Sequence, residues 1–127
     1  MPKKNIVLPL ITMIFTSCND LTNLSQIELE INDYVMASCL VHSDDPVIQE
    51  QGEIWAEGIL QSSNIKVSNL TQINESVKIE LKQDGIQISR PNRVNDRSTL
   101  AWVASCAEMR HKENIKREIK SILKHYL

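Results

Sequence analysis

From Leu24 onward, apolar residues return at three- and four-residue steps, and that period constrains the fold more than any other property of the chain. Leu24, Ile27, Ile31, Tyr34, Val35 and Cys39 share one side of a first helix, which places Cys39 on its buried face. His42-Ser43-Asp44-Asp45-Pro46 then stops it. Asp44 or Asp45 can cap the next helix, and Pro46 suits its first position, where a missing N–H costs nothing. The second helix is expected from Pro46 to about Gln61, burying Val47, Ile48, Trp55, Ile59 and Leu60. Ala56 and Gly58 sit beside that stripe as small residues that let another helix approach. Val67 through Lys82 predicts a third helix with Leu70, Ile73, Val77 and Leu81 on one face, ended by Asp84-Gly85. A last helical region starts near Ser98 with Leu100, Trp102, Val103 and Cys106. It continues after a break near His111 with Ile115, Ile119, Ile122, Leu123 and Tyr126. The expectation is an all-α fold, a compact bundle of four or five helices. Ile86 and Ile88 alternate over too short a stretch to need a sheet, and Pro91 disfavours helix at Arg90.

Ahead of the bundle, the chain opens like an export leader. Lys3 and Lys4 precede an apolar run from Ile6 through Phe15, followed by Thr16-Ser17-Cys18 at the would-be cleavage point. A charged start, a short apolar core and small residues at its end are the parts of a secretory signal, and the run is too short to span a bilayer. Ser17-Cys18 also resembles the end of a bacterial lipobox, in which the cysteine is acylated. The expected organisation is a leader over 1–17 processed before Cys18, a polar tether over 18–23, and one helical domain over 24–127. The 127 residues leave about 110 after the leader, enough for one small core and not for two. The expected location is the periplasm, with membrane attachment through Cys18 if it is acylated.

The leader also sorts the three cysteines. With Cys18 at the processing site, Cys39 and Cys106 remain as a pair in an oxidising compartment, where a disulfide is the expected state and two separate buried thiols the alternative. Losing the leader lowers the net charge from −2 to −4, a balance that argues against nucleic acid as a partner. Charge is nevertheless graded along the chain. Acids dominate from Asp20 to Glu57, while Arg90, Arg93, Arg97, Arg110, Lys112, Lys116, Arg117, Lys120 and Lys124 load the last third. Such a gradient is either a solvated helix surface or the mark of an acidic partner.

Catalytic readings find little to stand on. Cys39 precedes His42 and Cys106 precedes His111, but both cysteines fall on buried helical faces, and an oxidised pair has no thiolate. His42, Asp44, Asp45, His111 and Glu113 are the metal-ligand candidates, without an HExxH or CxxC spacing to unite them. No phosphate-binding glycine motif is present. The expectation is therefore a binding protein without cofactor or metal, not an enzyme. Its best binding candidate is the segment from Ser89 to Asn95, which sets Arg90, Asn92, Arg93 and Asn95 around a rigid Pro91. Donors held this way meet a polar or acidic groove at low ordering cost.

Tyr34-Val35-x-x-Ser38-Cys39-Leu40 in the first helix, and Trp102-Val103-Ala104-Ser105-Cys106 followed by Arg110-His111-x-x-Asn114-Ile115 in the last, resemble the type VI secretion amidase immunity proteins. That family is exported, small and all-helical, pairs two cysteines, and forms homodimers that block a secreted peptidoglycan amidase. The resemblance implies that Cys39 and Cys106 form the structural disulfide and that Met1 to Ser17 is removed. It further implies inhibition by occlusion, with a protruding loop entering the amidase groove and a helix of the second subunit bracing it. Assigning the loop role to Ser89 to Asn95 follows from composition. The competing expectation is a small envelope lipoprotein that acts as a structural adaptor and docks through its basic C-terminal helix.

Overall fold

The computed structural model describes the backbone of residues 8–84 and 96–127, and the side chains of 23–84 and 101–127. The described residues form five α-helices: α1 (Leu8–Val41), α2 (Pro46–Ser62), α3 (Val67–Asp84), α4 (Asp96–Met109) and α5 (Glu113–Leu123). A single 3₁₀ turn, Lys124–Tyr126, follows α5. The all-α expectation holds, with no strand among the described residues.

α1 is the axis of the bundle: it packs against α2, α3, α4 and α5, while α3 also packs against α5. Its C-terminal half is consequently buried almost all round, with Ile31, Val35, Ala37 and Cys39 fully enclosed and Tyr34, Ser38 and Leu40 nearly so. The helix also begins earlier than the apolar period suggests. Instead of starting at Leu24 after a spacer, it runs unbroken from Leu8 through Cys18 and residues 19–23. Neither Gly nor Pro occurs between Leu10 and Asp45, so nothing in the backbone interrupts the helix. Pro9 lies in its first turn, where proline is tolerated.

The α1–α2 corner is built by short polar side chains. His42 N–H donates to Cys39 O at 3.1 Å and Ser43 N–H to Leu40 O at 3.0 Å, closing the last turn of α1. Ser43 Oγ then accepts from Asp45 N–H. Of the two candidate caps it is Asp45 that serves, its carboxylate accepting from Val47 N at 2.9 Å and Ile48 N at 3.4 Å, with Pro46 in the first turn. Replacing Asp45 with Ala is expected to destabilise the fold by about 1 kcal/mol, measured by urea unfolding. An unchanged midpoint would mean that the corner is held by packing alone.

The core joins Ile27, Ile31 and Val35 of α1 to Leu70, Ile73 and Val77 of α3, Trp102 and Cys106 of α4, and Ile115, Ile119 and Ile122 of α5. Each such fully buried aliphatic side chain stabilises by roughly 1.5–3 kcal/mol relative to exposure. The faces expected for α1, α3 and α5 are thus the faces that pack into the core, as are Trp102 and Cys106 of α4; the Leu100 side chain lies outside the described residues.

α2 departs from expectation. Only Ile59 of the expected stripe is buried; Ile48 is half-buried, and Val47, Trp55 and Leu60 are exposed. The helix faces α1 through Ile48, Gly52, Ala56 and Ile59, and Gly52 makes the closest approach. A Cβ built on Gly52 would sit 2.7 Å from Val41 N and 2.9 Å from the Leu40 carbonyl carbon. Glycine is required here because the α1 backbone occupies the space of a side chain. At Gly58, by contrast, a Cβ would meet nothing within 4 Å, so the close helix approach lies at Gly52 and not at Gly58.

Polar contacts fix the register of α3 against its neighbours. Ser38 Oγ donates to Asn74 Oδ1 at 2.6 Å, Asn114 Nδ2 to the buried Glu80 carboxylate at 2.6 Å, and Tyr126 OH to Asn69 Oδ1 at 2.8 Å. The Tyr126 hydroxyl also accepts from Lys66 N–H at 2.9 Å, so one phenol ties the chain end to the start of α3. Lys112 pairs with Asp84 at 2.8 Å; the nearby carboxylate pushes the lysine pKa above its ordinary value. Both partners are exposed, and the pair contributes little to stability.

Candidate partner-binding surfaces

Cys39 on α1 and Cys106 on α4 are joined by a disulfide, with Cα atoms 5.4 Å apart and a separation of 67 positions in sequence. Both are fully buried. The bond removes both sulfurs from nucleophilic chemistry, and burial removes it from solvent. No helix among the described residues is long and apolar enough to cross a membrane. Among the described residues, no group of three or more His, Cys, Asp or Glu is placed to hold a metal ion. Asp45 instead caps α2, and Glu113 pairs with Lys116 at 3.3 Å.

Arg90, Pro91, Asn92, Arg93 and Asn95, the residues singled out for partner binding, lie outside the described residues. So does the side chain of Cys18, whose backbone belongs to α1.

Three surfaces stand out among the rest. The first is the outer side of α2. Val47 is 65% exposed, Ile54 58% and Trp55 36%. Val47, Ile54 and the open Gly58 recur at seven- and four-residue steps and so form one strip along the helix, with Trp55 at its inner edge. Glu50, Glu53 and Glu57 form an acidic ridge along its other edge, and α2 carries no Lys or Arg. The expected stripe mixes Ile48 and Ile59 of the buried face with the exposed Val47, Trp55 and Leu60, because Gly52 and Ala56 on the buried face carry little hydrophobic signal.

The second surface is a cleft of about 350 Å³ between α1 and α5, lined by Glu28, Asn32, Arg110, His111, Lys116, Ile119, Lys120 and Leu123. The third, of about 460 Å³, is lined by His42, Lys78, Leu81, Lys82 and Trp102, where α1, α3 and α4 meet. His42 Nε2 is buried without a hydrogen-bond partner among the described residues. Of the two tryptophans, Trp102 belongs to the core while Trp55 faces outward.

Comparison of the chain with protein-family models, with curated proteins and with solved structures finds no match.

Proposed function

We propose that the protein is a periplasmic immunity protein that binds and sterically inhibits a peptidoglycan amidase delivered by a type VI secretion system, protecting the cell that makes it. The observation that carries the reading is the outer strip of α2: an apolar line with a half-exposed tryptophan, displayed on a bundle held rigid by a buried disulfide. Exposed aromatic anchors among aliphatic neighbours are what protein interfaces use as hot spots. A stapled scaffold loses little conformational entropy on docking, so occlusion needs no catalytic group. The buried disulfide is compatible with an oxidising compartment.

Antiparallel twofold pairing of two copies through this strip would bring the two glutamate ridges to the same side of the contact, where like charges repel. We therefore assign the strip to the amidase, whose matching surface has an apolar centre and a basic edge, and leave dimer formation to another face. The segment from Ser89 to Asn95 supplies a second contact in this reading.

Co-production with a candidate amidase in the periplasm tests the proposal. Wild-type protein is expected to prevent lysis. Trp55→Ala should weaken the complex by about thirtyfold, the effect of losing a hot spot of roughly 2 kcal/mol, and Ile54→Arg should abolish protection while the variant remains folded. Arg90→Ala with Arg93→Ala tests the second contact separately. Lysis in the presence of folded wild-type protein would defeat the proposal, and full protection by Ile54→Arg would remove α2 from it.

A further inference from the structure

We infer that the cleft between α1 and α5 is a binding site for an N-acylated acidic residue, the unit that a glutamate or aspartate presents within a peptide. Lys116 and Lys120 stand four residues apart on one face of α5, with Ile119 and Leu123 beside them. Arg110 and His111, from the turn that joins α4 to α5, complete this wall. On the far side are Glu28 and Asn32, also four residues apart, on α1. The cleft thus has a cationic wall, an apolar floor and a wall of acceptors.

Each wall has unused capacity. Lys120 has no ion-pair partner among the described residues, and Lys116 is held only by the exposed Glu113 at 3.3 Å. Arg110 donates through Nε to His111 Nε2 at 3.3 Å, which leaves its terminal nitrogens to clasp a carboxylate as a fork. Two ammonium groups at this spacing repel each other along the helix, and a bound carboxylate relieves that repulsion. Opposite, Asn32 Nδ2 donates to Glu28 O at 2.9 Å, which leaves the Asn32 amide oxygen and the Glu28 carboxylate to accept from an N–H. Ile119, nearly buried, and the half-buried Leu123 offer a floor for a methylene stem.

A ligand that satisfies all three elements carries a carboxylate at one end, an apolar stem and an amide N–H at the other. Inorganic phosphate satisfies the cationic wall alone, and Glu28 repels it. The volume, about 350 Å³, is at the small end for ligand sites and suits one or two residues. The site shares no residue with the α2 strip, so it stands or falls independently of the amidase reading.

Amide chemical shifts of the oxidised protein at low salt, titrated with N-acetylglutamate, glutarate and inorganic phosphate, test this. N-acetylglutamate is expected to saturate, with shifts confined to residues 28–32 and 110–123. Glutarate, which has no N–H, should bind about threefold to tenfold more weakly, the value of one modest hydrogen bond. Lys120→Gln and Arg110→Gln, both at exposed positions, should each weaken N-acetylglutamate about tenfold. Glu28→Gln should narrow the preference over glutarate. Phosphate binding as tightly as N-acetylglutamate, or shifts spread over every lysine-bearing surface without saturation, would overturn the assignment.

Discussion

Replacing Cys39 and Cys106 together by alanine is expected to cost about 4 kcal/mol of stability, the chain-entropy value for cross-linking so long a loop. The bond spans 67 residues and ties the central helix to α4. Without it, α4 is held on α1 by Trp102, Met109 and their neighbours alone. A domain of this size has a total stability of only about 5–15 kcal/mol, so the loss is a large fraction of the whole. Urea unfolding of the oxidised protein and the double variant reads it directly. The midpoint should fall steeply, and the slope should rise because the unfolded chain without the cross-link exposes more surface. A loss below about 1 kcal/mol would mean that native strain cancels the loop-closure gain.

The second large effect is a contrast between two glycines on one helix. Ala is favoured over Gly inside a helix by about 1 kcal/mol. At Gly58, where an added Cβ meets nothing, the substitution to Ala should therefore stabilise the protein by about that amount. At Gly52 the same substitution drives a methyl into the backbone of Leu40 and Val41, at 2.7 to 2.9 Å, and backbone cannot step aside as a side-chain tip can. Gly52→Ala is expected to cost about 1–3 kcal/mol net, as overpacking does, and Gly52→Val more. Stability measurements on the two alanine variants should differ in sign. If both stabilise, α2 does not sit against α1 as closely as described.

The same glycine explains where the sequence was legible and where it was not. α1, α3 and α5 bury ordinary aliphatic stripes, such as Leu70, Ile73 and Val77, and their faces follow from spacing alone. α2 turns a glycine and an alanine toward α1 between two isoleucines, with Gly52 and Ile59 buried and Ile48 and Ala56 half-buried, while Val47, Ile54, Trp55 and Leu60 are exposed. Spacing weighs side-chain hydrophobicity, and the contact here depends on having almost no side chain. Beyond its expected stripe α1 also encloses Ala37, Ser38 and Leu40, because four helices that are separate in sequence pack around it, which a pattern reading of α1 alone does not contain. Pairs such as Ser38 with Asn74 and Asn69 with Tyr126 join residues 36 and 57 positions apart, and only the packed bundle brings them together. The disulfide was foreseeable from reading Cys18 as part of an export leader, which leaves Cys39 and Cys106 as a pair. The α1–α5 cleft was foreshadowed only by the basic bias of the last third; its acceptor wall comes from a helix distant in sequence.

We propose that a disulfide-stapled helical bundle inhibits a cell-wall amidase by covering it. Adding the purified, oxidised protein in increasing amounts to a candidate amidase digesting peptidoglycan tests it most directly. The release of soluble muropeptides should stop near stoichiometric equivalence and persist with the Ile54→Arg variant. Undiminished release at a several-fold excess of folded wild-type protein would mean that the bundle does not inhibit the amidase.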